Sequence, residues 1–270
     1  MAPKNFHDGG EALHLQISRG KSRGARFVHK FGKNDGINSS VETVWAAGGL
    51  HYQPETAGTV DFVSTSAEDA VGGDGVAVIV IEGLDANFVE VEETLTLTGL
   101  TPVPTTTEFL RVNRAYGTDL GPGATIATNP QFANLGDITG THNNLTTPND
   151  VVVHIPANVG QTQLALYTIP DGHTGYLYNF GASSGKESTG AGTNPVTTIR
   201  LLRRDVCLDG SPQQSWRIMD EFILKDSIDE VDYPFPIEIP AKTDMEVRAF
   251  TSSESVPVSA HFDVLILEND

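Results

Sequence analysis

From Phe27 onward the chain is written in short runs of β-branched and aromatic residues, many with a period of two, and separated by Gly, Asn, Asp and Pro. Such a pattern folds as strands and turns, because alternate residues of a strand face opposite sides while helix formers are scarce between the runs. Val60-Asp61-Phe62-Val63-Ser64-Thr65 and Val76-Ala77-Val78-Ile79-Val80-Ile81 flank the turn-rich Gly72-Gly73-Asp74-Gly75. Val89-Glu90-Val91-Glu92-Glu93-Thr94-Leu95-Thr96-Leu97-Thr98 sends Val and Leu one way and Glu and Thr the other, as in a strand with one solvated face. The expected class is all-β, with two β-sandwich or jelly-roll-like domains and a flexible basic N-terminal arm.

The boundaries follow from composition. Residues 1–26 form the basic arm, within which Leu13-His14-Leu15-Gln16-Ile17 alternates and reads as one short strand. Residues 27–120 form the first β domain. Residues 121–150 are rich in Gly, Thr, Asn and Pro and read as a linker or long loop, with Ile126 and Ile138 marking isolated strands. Residues 151–270 form a C-terminal β-sandwich domain, in which Trp216 to Leu224 fits a strand or a short helix. Pro234-Phe235-Pro236-Ile237-Glu238-Ile239-Pro240 brackets an edge strand with prolines.

Charge is divided unevenly. The formal net charge is −18, yet the first 33 residues contain Lys4, Arg19, Lys21, Arg23, Arg26, Lys30 and Lys33 against only Asp8 and Glu11. An acidic body repels nucleic acid, and a basic arm suits an acidic partner surface, including another copy of the chain; a solvated leader is an equal reading of it. The expected docking residues are Arg19, Lys21, Arg23, Arg26, Phe27, Lys30, Phe31 and Trp45. No membrane partner is expected, because the longest apolar run, Val76 to Ile81, is too short to span a bilayer. The polar Met1 to Gly10 does not read as a signal peptide. The single cysteine, Cys207, sits between Val206 and Leu208 and reads as a small buried hydrophobe.

No catalytic or cofactor constellation emerges. There is no phosphate loop, nucleophile elbow or His-Glu-x-x-His pair. The eight histidines (His7, His14, His29, His51, His142, His154, His173 and His261) never recur at i, i+2 or i, i+4. Glu90, Glu92 and Glu93 read as a solvated strand face, and Asp226, Asp229, Glu230 and Asp232 as a charged connection rather than a glycosidase pair. The expected chain is therefore not an enzyme and takes no cofactor.

Several strings carry a family resemblance: Val28-His29-Lys30-Phe31-Gly32-Lys33-Asn34, Glu42-Thr43-Val44-Trp45-Ala46-Ala47-Gly48-Gly49, Gly83-Leu84-Asp85-Ala86-Asn87-Phe88 and Phe109-Leu110-Arg111-Val112-Asn113-Arg114. Tyr167-Thr168-Ile169-Pro170-Asp171-Gly172-His173-Thr174-Gly175-Tyr176 and Val258-Ser259-Ala260-His261-Phe262-Asp263-Val264-Leu265-Ile266 continue it. In these the chain resembles virion structural proteins of tailed bacteriophages, especially those of aquatic bacteria. The resemblance implies a non-enzymatic virion component assembled in the host cytoplasm. The expected role is decoration or cementing of the capsid exterior, with the major capsid protein or another virion protein as partner and a homotrimer as the assembly. The alternatives are a tail, baseplate or fibre-anchor component, or an adhesin whose 181–195 loop or Trp and Tyr residues meet a host glycan.

Overall fold

A computed structural model describes residues 12–120, 134–146, 149–186, 195–206, 214–252 and 255–269. The expectations for Cys207, for Ile126 and for most of the 181–195 loop lie outside those residues. Among the described residues the protein is almost all β, with 59% in strands and 2% in helix. One helix, α1 (Leu13–Ser18), precedes β1 (Ala25–Ile37), β2 (Glu42–Thr43), β3 (Val60–Ser64), β4 (Val76–Leu84), β5 (Glu90–Thr96) and β6 (Val103–Pro104). Then follow β7 (Arg111–Leu120), β8 (Ile138–His142), β9 (Val151–Ile155), β10 (Leu166–Thr168) and β11 (His173–Ser184). The last are β12 (Thr197–Asp205), β13 (Arg217–Leu224), β14 (Ser227–Ile239), β15 (Thr243–Thr251) and β16 (Val256–Glu268).

The expected strand at 13–17 is α1 instead. Leu, His and Gln carry no β-branch, so the local alternation is outweighed by helix propensity and by burial of Ile17. Gly20, at φ +66°, ends the helix: its N–H bonds to Ile17 O and the Lys21 N–H to Gln16 O, the paired bonds of a glycine C-cap. Residues 12–26 are thus folded onto the body, and Ala25 and Arg26 already belong to β1.

The strands form four small antiparallel sheets. One runs β1-β16-β11-β14; a second runs β10-β15-β12-β13, with β2 also paired to β15. These two bury a common cluster that includes Phe180, Phe262, Val264 and Leu177 from the first and Ile199, Leu201, Met245 and Val247 from the second. Period two produces this core directly: on β16, Val258, Ala260, Phe262, Val264 and Ile266 are buried. Phe180 stacks on Phe222 at 4.8 Å. The other two sheets, β6-β3-β8-β9 and β5-β4-β7, bury Phe62, Ile79, Ile81, Phe109, Ile138 and Ile155.

Strand pairing does not follow the division at 121–150. β1 pairs with β16 from Ala25↔Leu267 to Asn34↔Val258, so the opening strand of the chain lies beside its last strand and not in a first domain ending at 120. β8 and β9, expected in a linker and in a second domain, both join the sheet of β3. The Gly- and Asn-rich composition around them marks tight packing: an added Cβ at Gly136 would lie 2.4 Å from Ser66 N. The segment is pinned by the fully buried Asp69, whose carboxylate accepts N–H bonds from Val76, Leu135 and Gly136 and the Ser64 hydroxyl at 2.6 Å.

A buried ionic cluster joins the two pairs of sheets. Arg111 of β7 donates to Asp244 of β15 through Nε at 2.9 Å and Nη2 at 3.1 Å. Arg204 (2.8 Å) and Thr168 (2.7 Å) donate to the same carboxylate, while Arg111 Nη1 donates to Pro54 O and Leu110 O. Although burial opposes ionisation, the two guanidinium groups hold the Asp244 carboxyl below its ordinary value.

Candidate docking surfaces

The alternation of β1 sorts the expected docking residues onto opposite sides. Arg26 and Lys30 point to the junction with β5 and β7, where Arg26 pairs with Glu90 and the Lys30 ammonium donates to Asn113 O. They line a cavity of about 700 Å³ together with Glu82, Glu92, Arg114 and Tyr167. Lys30 is only 8% exposed, so it is not a surface docking residue. Desolvation, then the Arg114 charge, lower its pKa to about 7, with Glu82 opposing. Burial pushes the Tyr167 phenol up to about 12 against the nearby Arg26.

Phe27, His29 and Phe31 face the open side of the β1-β16-β11-β14 sheet. The Phe27 ring meets Tyr178 edge-on at 5.8 Å, and His29 stacks on Phe31 at 6.1 Å. Register aligns His29, Asp263, Asn179 and Asp232 in one row across all four strands. His29 Nδ1 lies 2.5 Å from Asp263 Oδ1, and Asn179 Nδ2 donates to both Asp232 and Glu230 at 2.8 Å. Two rows further, on the same face, the His261 ring lies over Gly181, where any Cβ would come within 2.4 Å of it. This open face combines aromatic edges with planar hydrogen-bonding groups. Among the described residues, no group of three or more His, Cys, Asp or Glu could hold a metal ion, and no helix is long and apolar enough to cross a membrane.

Trp45 is also buried and not a docking residue. Its Nε1 donates to Gly49 O at 3.2 Å, its ring meets His51 at 4.8 Å, and it packs with Leu164 and Leu166. Positive φ at Gly48 and Gly49 lets the following turn fold back over the indole. Trp216 lies between the guanidinium groups of Arg204 and Arg248, each 4.7 Å from the ring centre. Of the expected residues, Arg19, Lys21, Arg23 and Phe27 are exposed, and the first three sit together in the connection between α1 and β1.

Sequence reasoning places a strand or short helix at 216–224 and an edge strand at 234–240, but misses that β14 begins at Ser227, two residues after β13, and joins the other sheet. The segment taken as a charged connection is strand: Asp226, at φ +47°, is in the turn, and Asp229, Glu230 and Asp232 lie on β14. Along these two edge strands, Ile218 and Ile223 of β13 are 54% and 67% exposed, and Ile228 and Phe235 of β14 are 73% and 87% exposed. The signal was present as isoleucines interleaved with acids, the pattern of a strand whose apolar side lacks cover.

No protein-family model and no curated protein matches the chain. Among solved structures it is weakly similar to the structure of infectious bursal disease virus, Gx strain. That likeness has 7% identity over 91% of this chain and 76% of the other, with a TM-score of 0.20, too low to bear on fold or function.

Proposed function

We propose that the chain is a non-enzymatic structural subunit of a tailed-bacteriophage particle, decorating or cementing the capsid exterior as an oligomer. The observation that supports this reading best is the distribution of surface chemistry on one rigid sheet. A basic connection leads into its β1 edge, and β14, with Asp229, Glu230 and Asp232 beside the exposed Ile228 and Phe235, forms the opposite edge, as suits a building block. The resemblance of the strand and turn strings to phage virion proteins supports the particle assignment.

In this reading each pair of sheets is a β-sandwich with jelly-roll-like connections. Four small sheets also fit a propeller-like arrangement, whose blades are sequential meanders. The orders β1-β16-β11-β14 and β6-β3-β8-β9, with their non-consecutive neighbours and shared cores, favour the sandwich. A second reading, glycan binding, is favoured by the open face bearing Phe27, Tyr178, His29, Asp263 and Asp232, since sugars pack on aromatic rings and hydrogen-bond to planar polar groups.

Quantitative mass spectrometry of purified particles tests the assignment. Hundreds of copies per particle are expected on the capsid; a dozen or fewer move the chain to the tail, and its absence from particles ends the virion reading. Glycan-array binding by the isolated protein would move the reading to the adhesin.

A further inference from the structure

A break in strand register builds a pocket beside Tyr178. β11 keeps its pairing with β14 and β16 up to Leu177 and again from Asn179, and Tyr178 has no opposite residue on either neighbour. On β14 the same break passes over four residues, Tyr233-Pro234-Phe235-Pro236, whose prolines have no N–H to give to a ladder. Leu177 and Phe180 are both fully buried in the core, so Tyr178 and Asn179, consecutive in the chain, share the outward position between them. Both line an open pocket of about 890 Å³, together with Phe27, whose ring meets Tyr178, and with Tyr233 and Pro234 across from them.

The polar groups of this pocket are nearly all acceptors. Asp263, Asp232 and Glu230 line it, and among the described residues no Lys or Arg does. Asn179 Nδ2 donates to Glu230 and Asp232 at 2.8 Å each, which gathers the two carboxylates around one amide. Only the amino end of an amide can serve two carboxylates, so the orientation of Asn179 is fixed. Its Oδ1 is then left buried without a hydrogen-bond partner among the described residues, on a side chain that is itself only 7% exposed. A buried acceptor without a donor is costly, which makes this a place where a donor is missing. The neighbouring donors are already engaged: His29 Nδ1 lies 2.5 Å from Asp263 Oδ1, and the Tyr233 hydroxyl donates to Asp220 at 2.5 Å. His261 Nε2 stands 3.8 Å from Glu230.

The occupant that complements such a pocket is a cation with several N–H donors and a flat face. Guanidinium has both: its donors form a planar fork that meets carboxylates, and its faces lie against aromatic rings. A sugar suits it less, because hydroxyl and ring oxygens also need donors, and here those serve carboxylates. Phe235, 87% exposed within the same four-residue break, sets a large apolar side chain beside the pocket that only a larger partner would cover.

The geometry points to this pocket as the socket for an arginine side chain of a partner protein. Glu230, Asp232 and the Asn179 carbonyl accept from its guanidinium, Phe27, Tyr178 and Tyr233 flank it, and the residues around that arginine cover Phe235. The inference goes beyond the particle reading and stands on the pocket alone, so copy numbers in particles leave it untouched.

Amide NMR of the full-length protein tests it, with the Asn179 side-chain amide as the reporter. Acetyl-Leu-Arg-Leu-amide should shift that resonance and those of Tyr178 and Tyr233. The same peptide with citrulline, which keeps the shape and loses the charge, should bind about tenfold more weakly. Glu230→Gln with Asp232→Asn should weaken the arginine peptide by a similar factor. Both side chains are exposed, so the variant should keep the wild-type circular dichroism spectrum, and the citrulline comparison needs no variant. Acetyl-arginine-amide should bind more weakly than the tripeptide, and Phe235→Ser should remove that difference.

Arginine and citrulline peptides of equal affinity, or a double variant that binds as the wild type does, would overturn the guanidinium assignment. Equal affinity for acetyl-arginine-amide and the tripeptide would overturn the protein partner. Methyl glycosides that shift the Asn179 amide where the arginine peptide does not would overturn both and give the pocket to the glycan reading.

Discussion

Replacing Lys30 by Met should make the protein more stable at neutral pH, by an amount that shrinks as pH rises. Lys30 is buried, its ammonium bonded to the Asn113 carbonyl, and its pKa falls from 10.5 to about 7 in the fold. Between those two values the unfolded chain binds a proton that the folded one does not, so stability rises with pH by about 1.4 kcal/mol per unit. Integrated over that window, holding Lys30 in the junction costs about 4 kcal/mol at pH 7 and about 2 kcal/mol at pH 9. Methionine removes the titration and keeps the aliphatic stem. It leaves the Asn113 carbonyl unpaired, a loss of about 1 kcal/mol that is the same at every pH. Urea unfolding of both proteins at pH 7, 8 and 9 isolates the residue, because all other groups are shared. The advantage of K30M should fall by about 2 kcal/mol from pH 7 to pH 9. A difference that stays flat over that range would show that Lys30 titrates as an ordinary lysine, and the account of the junction would be wrong.

Four further outcomes follow from the packing. Arg111→Met strips Asp244 of its bidentate partner while leaving the carboxylate buried, and should cost about 3–5 kcal/mol in urea unfolding. Because the Asp244 carboxyl is held below its ordinary 3.8, the stability it contributes is complete above that value and is lost as pH falls through its folded value; the gap between wild type and D244N should therefore narrow on acidification. Asp69→Ala orphans three backbone N–H groups at about 1–3 kcal/mol each, and hydrogen exchange should speed up first at Leu135 and Gly136, a pattern absent if the segment is held by other contacts. Gly32→Val would set a Cβ 2.1 Å from Val44 O and 2.4 Å from Ala165 N, both backbone, and should lower stability by on the order of 3 kcal/mol; an unchanged melting curve would refute that close approach.

What the sequence made legible was the strands; what it concealed was their neighbours. Period two along Val256 to Glu268 announces a strand with one buried face, and that strand is present. Nothing local in Ala25 to Ile37 says that its partner lies more than two hundred residues away, because backbone pairing is indifferent to side-chain identity and register is settled by the shared core. Composition misled at 134–146 for a related reason. Gly and Asn were read as signs of a loop, whereas Gly136 and Asn134 are there because backbone passes close to backbone, with Asn134 bonding Gly136 O, Pro156 O and the Gly160 N–H.

The docking residues divide by the same logic. Counting charge put Lys30 with Arg19, Lys21 and Arg23, yet charge counts ignore the side of the strand on which a residue falls. Lys30 stands at an inward position opposite Phe262, and Trp45 is covered by its own turn. Both residues looked available because their burial depends on distant segments, the loop at 161–164 and strand β7. The edge strands β13 and β14 show the converse. Ile223, Ile228 and Phe235 were visible in the sequence as apolar residues among acids, but they could not be told from core residues until the sheets were assembled without covering them. A strand that keeps apolar side chains on a face its own fold leaves bare is mispatterned for a monomer and correctly patterned for a subunit. That mismatch arises only from comparing the chain with its own completed fold, and no local pattern in the sequence displays it.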